Sequence, residues 1–442
     1  MSEHVPKELD LFQAPEQLLA ISDTYYERVP TKTSLPSNGH PSALDFSANI
    51  DRLRYSSLYD SFIALQLKLV KADMSNIPAA PRVAFVQNML YSMFRSVECW
   101  INNIKCSTND QNMHYNSFLR SFLAPENIQK TELNLAGYYP DSYSTLLVSR
   151  QNDPEDRSSD RSPSLKERSL VTAESRIVHL MGRINAPPHL SKKLYLPQLK
   201  FDYRFIFESD DFFLLQPEED TEKYTVVIVG ADIWLKRVNV NPSLAMAHSQ
   251  MLNSKAAIYP INDLIDTRVL DIPAGSLNFK FPNCYVGGNI PRLLVIALVN
   301  SKAKNGSRQL NPYLFDTAKL EEIRCYVGSK VYPTIPYKLD PSRFSTETSI
   351  LDFYNAVRSN DNRLPIALTR ETHTGGLFLL AFSLARDDKS FAEYQNASFQ
   401  SVNLSIEGTV SEATDTNYSI IVWGMFQTML KINKFMEPLI GW

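Results

Sequence analysis

The sequence predicts an all-β chain of two tandem jelly-roll β-sandwiches, a double jelly-roll, with a few short helices. Three observations lead there. Aromatic residues are plentiful, 23 Phe and 21 Tyr in 442 residues, glycine is scarce at 14, and proline is not at 26. That mixture fits strands joined by proline-stiffened loops better than a helical bundle. Several segments alternate apolar and polar residues with a period of two, the pattern of a sheet with one face on a core. Finally, three short patterns of the first half return, in the same order, in the second.

Along the chain, "FIALQLKLV" (62 to 70) sets Leu65, Leu67 and Leu69 against Gln66 and Lys68, which predicts a half-buried strand. "VECWINNIKC" (97 to 106) reads as a strand, a tight turn and a lysine, with Cys99 facing inward and Trp100 outward. "NMHYNSFLRSFL" (112 to 123) is a short amphipathic helix candidate. The stretch 149 to 168, almost wholly charged or small, offers no apolar face and predicts an exposed loop, mobile and trypsin-sensitive near Arg157 and Arg161. "KFDYRFIFE" places Phe201, Tyr203, Phe205 and Phe207 on one face of a strand. "YTVVIVGADIWL" (224 to 235) is apolar on both faces, so it calls for cover on both sides. "NPSLAMAHSQMLNS" (241 to 254) carries proline at a first-turn position and reads as a connecting helix.

The second half repeats the plan. "RLLVIALV" (292 to 299) answers the strand at 62 to 70, "IRCYVGSKVY" (323 to 332) answers 97 to 106, and "YNAVRS" (354 to 359) answers "YNSFLRS" (115 to 121). Cys325 and Tyr326 take the inward and outward places of Cys99 and Trp100. Between them, 300 to 316 holds an Asn305-Gly306 turn and predicts a long excursion, and "SILDFYNAVRS" (349 to 359) a second short helix. "VNLSIEGTV" (402 to 410) turns Leu404, Ile406 and Val410 one way, and "YSIIVWGMF" (418 to 426) is again apolar on both faces. Three matches in order imply a duplicated domain: an arm at 1–24, a first jelly-roll at 25–240, a linker helix at 241–256 and a second jelly-roll at 257–442.

Composition excludes several functions. A formal net charge of −3 supplies no overall basic field, so strong direct nucleic-acid binding is not expected. The four cysteines form no CxxC pair and no zinc spacing. The opening "MSEHVPKELDLF" is acidic and proline-broken, unlike a secretory signal. "LLVIALV" (293 to 299) falls short of the ~18 apolar residues that span a bilayer, so no membrane-spanning segment is expected. These features predict a soluble protein made inside the cell with its thiols reduced.

Candidate chemical sites are few. Glu208, Asp210 and Asp211 could gather a divalent ion, but a charged turn ending the preceding strand is the plainer reading. Gly287 and Gly288 could cradle a phosphate, yet no helix follows to supply a dipole. Cys99 and Cys325 could form a redox or metal pair, although equivalent places in separate domains favour two buried thiols. Arg157, Arg161, Lys166 and Arg168 could touch nucleic acid, but Glu155, Asp156, Asp160 and Glu167 offset them, which suits a solvated excursion. Phosphate-loop, nucleophile-elbow and metalloprotease motifs are missing. No catalytic, cofactor-binding or metal-binding residue is assigned, and no enzyme is expected.

An ordered series of segments resembles the major capsid proteins of Polinton (Maverick) elements and adintoviruses. "ELDLFQAP" (8 to 15) is similar to their opening stretch, and "YDSFIALQLKLVKAD" with "VAFVQNMLYSMFRSVECWINN" to strands of their first jelly-roll. "LKERSLVTAESRIVHLMGRI", "LPQLKFDYRFIFESDDFFLL", "DIWLKRVNVNPSLAMAHSQML", "YPINDLIDTRVLDIPAG", "NPYLFD" and "GGLFLLAFSLARD" with "YSIIVWGMFQTMLKINK" follow in order. "HTGGLF" (373 to 378) and the charged insert at 149 to 164 depart from the pattern. The resemblance implies a homotrimer of double jelly-rolls forming a pseudo-hexagonal capsomer of an icosahedral shell. Its implied partners are further copies of itself and penton or minor capsid proteins. No cofactor is implied, and the implied location is the virion capsid after synthesis in the host cytoplasm or nucleus. Two alternatives stand beside it. One is a tandem jelly-roll module of a virion that binds a receptor or glycan, and the other an enzyme whose triad assembles from distant loops.

Overall fold

The computed structural model describes residues 20–107, 111–141, 163–286, 290–335, 337–340, 346–357, 368–385 and 403–441. Eight strands build the two main sheets of the first half: β1 (Ile21–Pro30), β2 (Ala43–Ser47), β3 (Tyr55–Lys71), β4 (Phe94–Ile101), β5 (Ile104–Lys105), β6 (Val178–Arg183), β7 (Phe201–Phe207) and β8 (Tyr224–Val240), beside a separate two-residue pair of Ala84–Phe85 with Leu214–Leu215. Eight more build the second: β9 (Ala257–Ile272), β10 (Asn278–Tyr285), β11 (Leu293–Asn300), β12 (Leu320–Val327), β13 (Lys330–Tyr332), β14 (Leu379–Ser383), β15 (Leu404–Val410) and β16 (Tyr418–Ile432). Four helices of nine residues or more accompany them: α1 (Met113–Leu123), α2 (Pro163–Val171), α3 (Pro242–Leu252) and α4 (Glu347–Val357).

The wiring of the two halves is identical. In the first, one sheet runs β1-β8-β3-β6 and the facing one β2-β7-β4-β5; in the second, the orders are β9-β16-β11-β14 and β10-β15-β12-β13. Adding eight to each strand number of the first half gives the second. The pairs within these sheets are antiparallel. Each half is thus two stacked sheets wound as a jelly-roll, four strands in each except that a short last strand, Pro438–Gly441, also pairs with β16.

The sequence echoes fall on matching elements. The strands at 62 to 70 and 292 to 299 lie in β3 and β11, the third of each half. The cysteine segments form the hairpins β4-β5 and β12-β13. Asn102 and Asn103 both take left-handed φ values, 48° and 67°, in the first hairpin turn, and Gly328 does so at 60° in the second. Asn and Gly are the residues that enter this region at least cost, and such turns match the twist of the flanking strands. The first tyrosine-asparagine segment lies in α1 and the described part of the second, 354–357, in α4, each in the connection between a fifth and a sixth strand.

Alternation places the core. In β7, Phe201, Tyr203, Phe205 and Phe207 are buried; in β3, Ile63, Leu65, Leu67 and Leu69 are. Asn241 caps α3, its side-chain oxygen accepting from the Ser243 N–H, with Pro242 in the first turn. β1 opens at Ile21, inside the stretch expected to be arm.

Three expectations are corrected. Residues 163 to 168 belong to α2 and not to an exposed loop, while 142 to 162, with Arg157 and Arg161, lie outside the described residues. Residues 300 to 316 are no solvent excursion: after a short helix at Ser301–Asn305 the chain turns inward and buries Tyr313 and Phe315. β8 is covered on both faces mainly near its start and alternates from Gly230 onward, whereas β16 is covered on both faces from Ser419 to Met425.

Candidate assembly interface

β16, β11 and β14 are apolar on both faces because each face meets a different core. Leu294, Ile296, Leu298, Leu380, Phe382, Ile420 and Val422 point into the second sandwich. Leu293, Val295, Ala297, Leu379, Ala381, Ile421, Trp423 and Met425 point the other way, into a core continuous with that of the first half. This sheet is the joint of the molecule.

α1 lies on it. The expected amphipathic helix is buried nearly all round, with Arg120 and Leu123 the partial exceptions. Trp423 Nε1 donates to the Tyr115 carbonyl at 3.1 Å, Asn116 Nδ2 to the Ile265 carbonyl at 3.2 Å, and an Arg120 amino group to the Asp263 carbonyl at 2.6 Å. Phe118 stacks on Tyr313 at 5.0 Å and meets Phe315 edge-on at 5.1 Å, while Phe315 meets Trp423 at 5.7 Å. Buried Arg292 pairs with Asp263 at 2.5 Å. Rings supply area and edge-to-face geometry, and the polar bonds fix the register of helix on sheet.

The matching face of the first half is open among the described residues. On β3, β8 and β6 the residues Phe62, Trp234 and Arg183 stand in one row and Ala64, Asp232 and Met181 in the next, all half-buried. The row is laced by ion pairs: Arg28 with Asp232 at 2.8 Å, Lys236 with Asp60 at 3.0 Å, Arg183 with Glu132 at 2.7 Å. Arg183 also covers Tyr59, 4.5 Å from its ring. Where the second half has Val, Leu and Trp against a partner, the first presents a mixed apolar and charged surface, the composition of an interface rim.

The weighed chemical sites resolve differently. Asp210 accepts from Thr225 Oγ1 at 2.7 Å and faces His40 at 3.4 Å, whereas Asp211 pairs with Arg308 at 2.6 Å. The three carboxylates therefore diverge onto separate partners, Glu208 accepting from the Ser209 N–H at 3.0 Å; the segment is a short helix in which Asp211 is exposed to solvent, as expected, and Asp210 is largely covered. Among the described residues no group of three His, Cys, Asp or Glu side chains is placed to hold a metal ion. Gly287 and Gly288 lie outside the described residues.

Cys99 and Cys325 are fully buried in β4 and β12, the matching fourth strands, with Trp100 and Tyr326 half-exposed on the opposite faces. All four cysteines are free. Burial raises the thiols of Cys99 and Cys325 well above the ordinary value, and that of Cys106 to about 12. Inert buried thiols are the result.

Arg168 reverses its expected role. Its side chain is fully buried, donating to the Phe85 carbonyl, the Tyr139 carbonyl and Asp141 Oδ1, each at 2.7 Å. Charge alone suggested a solvated loop; the signal that could have found the burial is Leu165, buried three residues earlier on the same face of the helix.

Sequence reading also missed a groove of about 490 Å³ on the outer face of β10, β15 and β12. Lys280, Glu322, Arg324, Tyr326 and Glu407 line it, with Lys280 paired to Glu407 and Arg324 to Glu322. No helix among the described residues is long and apolar enough to cross a membrane.

No protein-family model matches the chain, and no curated protein matches it either. Solved structures do. A chain of the Sputnik virophage structure aligns over 100% of this chain and 93% of its own, with a TM-score of 0.63 and 12% identity. The mavirus major capsid protein aligns over 99% and 93%, with a TM-score of 0.54 and 12% identity. The Faustovirus major capsid protein aligns over 97% and 92%, with a TM-score of 0.58 and 9% identity. The fold is a double jelly-roll. In this double jelly-roll the joint sheet, α1 and the 313–315 segment form the internal contact, and the β1-β8-β3-β6 face is its uncovered counterpart.

Proposed function

We propose that this chain is the major capsid protein of a Polinton-like virus or element, and that its homotrimers are pseudo-hexagonal capsomers of an icosahedral shell. The observation that carries this reading is the whole-length double jelly-roll with the same wiring in both halves. A hexagonal tile needs six similar wedges, and closed three-fold symmetry makes six from two per chain. The open β1-β8-β3-β6 face supports the reading: a neighbouring copy would cover it, as the first half covers the matching sheet of the second. In this proposal two units, closing at Val240 and opening at Ala257, are joined by the linker helix. Further capsomers and penton or minor capsid proteins are the partners, the virion capsid is the destination, and no catalytic chemistry is involved.

Light scattering coupled to gel filtration tests it. The expected mass is three times the 50.3 kDa chain, with flat pseudo-hexagonal particles in micrographs. A monodisperse monomer at micromolar concentration, with no trimers in micrographs, overturns it. The groove on the outer face of β10, β15 and β12 favours one second reading, a glycan-binding virion module, because charged and aromatic groups converge there. Glycan binding by isolated monomers, lost in Tyr326→Ala, would support that reading instead.

A further inference from the structure

The joint sheet extends past the second sandwich. At that end β9, β16 and a last strand, Pro438–Gly441, pair so that Ile258 lies opposite Lys431 and Lys431 opposite Leu439. Tyr259, Leu430 and Ile432 on one face are buried, Tyr259 stacked on Tyr195 of the first half at 4.2 Å. Among the described residues nothing covers the other face. Ile258 is 46% exposed, Met429 43% and Leu439 53%, and Phe435 in the adjoining turn is 69% exposed. Strand alternation puts Ile258, Met429, Lys431 and Leu439 on this one face.

The surroundings are cationic. Lys431 and Lys434 are exposed, and Lys193 donates its ammonium to the Ile258 carbonyl at 2.9 Å. None of the three forms an ion pair with a carboxylate among the described residues. The nearby carboxylate of Glu437 accepts from Asn433 Nδ2 at 3.0 Å. Lys434 lies over the Phe435 ring, 5.1 Å from its centre. Exposed apolar side chains beside lysines that have no acidic partner among the described residues call for an occupant that is both apolar and acidic.

We propose that residues 1–19 of the chain dock on this face. Those residues, outside the described part, hold Glu3, Glu8, Asp10 and Glu16 against a single Lys7, together with Leu9, Leu11, Phe12, Leu18 and Leu19. They join the described chain at Ala20, whose carbonyl accepts from the Asn241 N–H at 3.0 Å, at the start of α3. α3 spans about 16 Å and ends six residues before Ile258. Nineteen residues reach up to roughly 60 Å when extended, so the distance is covered with slack. α3 itself carries no charged residue and exposes Met246 and Met251, an apolar track between the exit point and the bare face. A tethered segment also works at an effective concentration in the millimolar range, ahead of any free competitor.

Hydrogen exchange over residues 427–441 tests the docking. It is compared in the full chain, in a variant lacking residues 1–19, and in the double variant K431E/K434E of the full chain, with thermal unfolding as the check on folding. Exchange at least tenfold faster in both variants is expected, with protection restored to the truncated chain by synthetic peptide 1–19 at millimolar concentration. Unchanged exchange in the truncated chain overturns the proposal, and so does unchanged exchange in the double variant should the truncated one fail to fold. Flotation of the full chain with phosphatidylserine vesicles, abolished by Phe435→Ser, also overturns it, because the face is then open to a bilayer.

Discussion

His114, His189 and His373 are buried, each with an Nδ1 that has no partner among the described residues. His114 sits against Phe212 at 4.3 Å and Tyr115 at 4.6 Å, with the positive charge of Arg95 near; His189 has the Tyr203 hydroxyl at 3.4 Å; His373 donates from Nε2 to the Leu379 carbonyl at 3.1 Å. Burial pulls His114 and His189 down to about 3 and His373 to about 4. A base depressed in the folded state takes up its proton only on unfolding. Its contribution is therefore complete above an unfolded pKa of about 6.5 and is lost as pH falls from there toward the folded value. At pH 5 each histidine costs roughly 2 kcal/mol. Urea midpoints measured between pH 7 and 5 should fall, and His189→Gln should reduce the slope by up to about 1.4 kcal/mol per pH unit; an unchanged slope would contradict the assignment. At the same scale, Cys99 and Cys325 should label slowly with a thiol reagent in the native protein, and rapid labelling of both before unfolding would show that one face has been misassigned.

Among the elements, α1 and the 313–315 segment hold the joint through rings that cannot reach water. Phe118→Ala should cost about 3–5 kcal/mol in denaturant unfolding, because the space left between Tyr313, Phe315 and Phe122 cannot collapse onto a sheet already packed on its far side. Arg168→Met should cost a similar ~3–5 kcal/mol, as it takes the guanidinium donors from Asp141 Oδ1 and two carbonyls and leaves Asp141 with Asn311 alone in place of a cation. A loss under 1 kcal/mol for either would show the helix in question to be loosely held. The strands that could be read from sequence were those whose two faces meet different media, as in β3, β7 and β15. The hairpins were legible too, since Asn-Asn and Gly-Ser mark turns without help from the rest of the chain. α1 was placed correctly and its environment was not: its ridge of Phe118, Phe122 and Leu119 looks amphipathic, and the second cover comes from residues some two hundred positions away. Arg168 and the 300–316 segment were misread for a related reason. Polar composition signals solvent unless buried carbonyls, a carboxylate or distant rings happen to receive those residues, and single-sequence patterning carries no record of such partners.

Across the whole molecule, two sandwiches with the same four-strand order differ most in the cover on the outer face of the large sheet. The second half hides that face against the first, and the first half leaves its own to a neighbour in the proposed capsomer. This difference gives synthesis a direction. A ribosome releases the first half before the second, and domains generally fold as units in that order. The early half brings most of its core with it and exposes at its large sheet a surface softened by ion pairs, while α1 waits for Tyr313, Phe315 and Trp423 to cover its second side. The late half carries β11 and β16, whose second apolar face has no shelter until α1 is in place. Expressed alone, residues 257–442 should aggregate, whereas residues 20–241, which bare only the second side of α1, should aggregate less. Equal solubility of the two pieces in a sedimentation assay would remove the asymmetry. The half made first is thus a template for the half made last, a chaperone built into the same polypeptide.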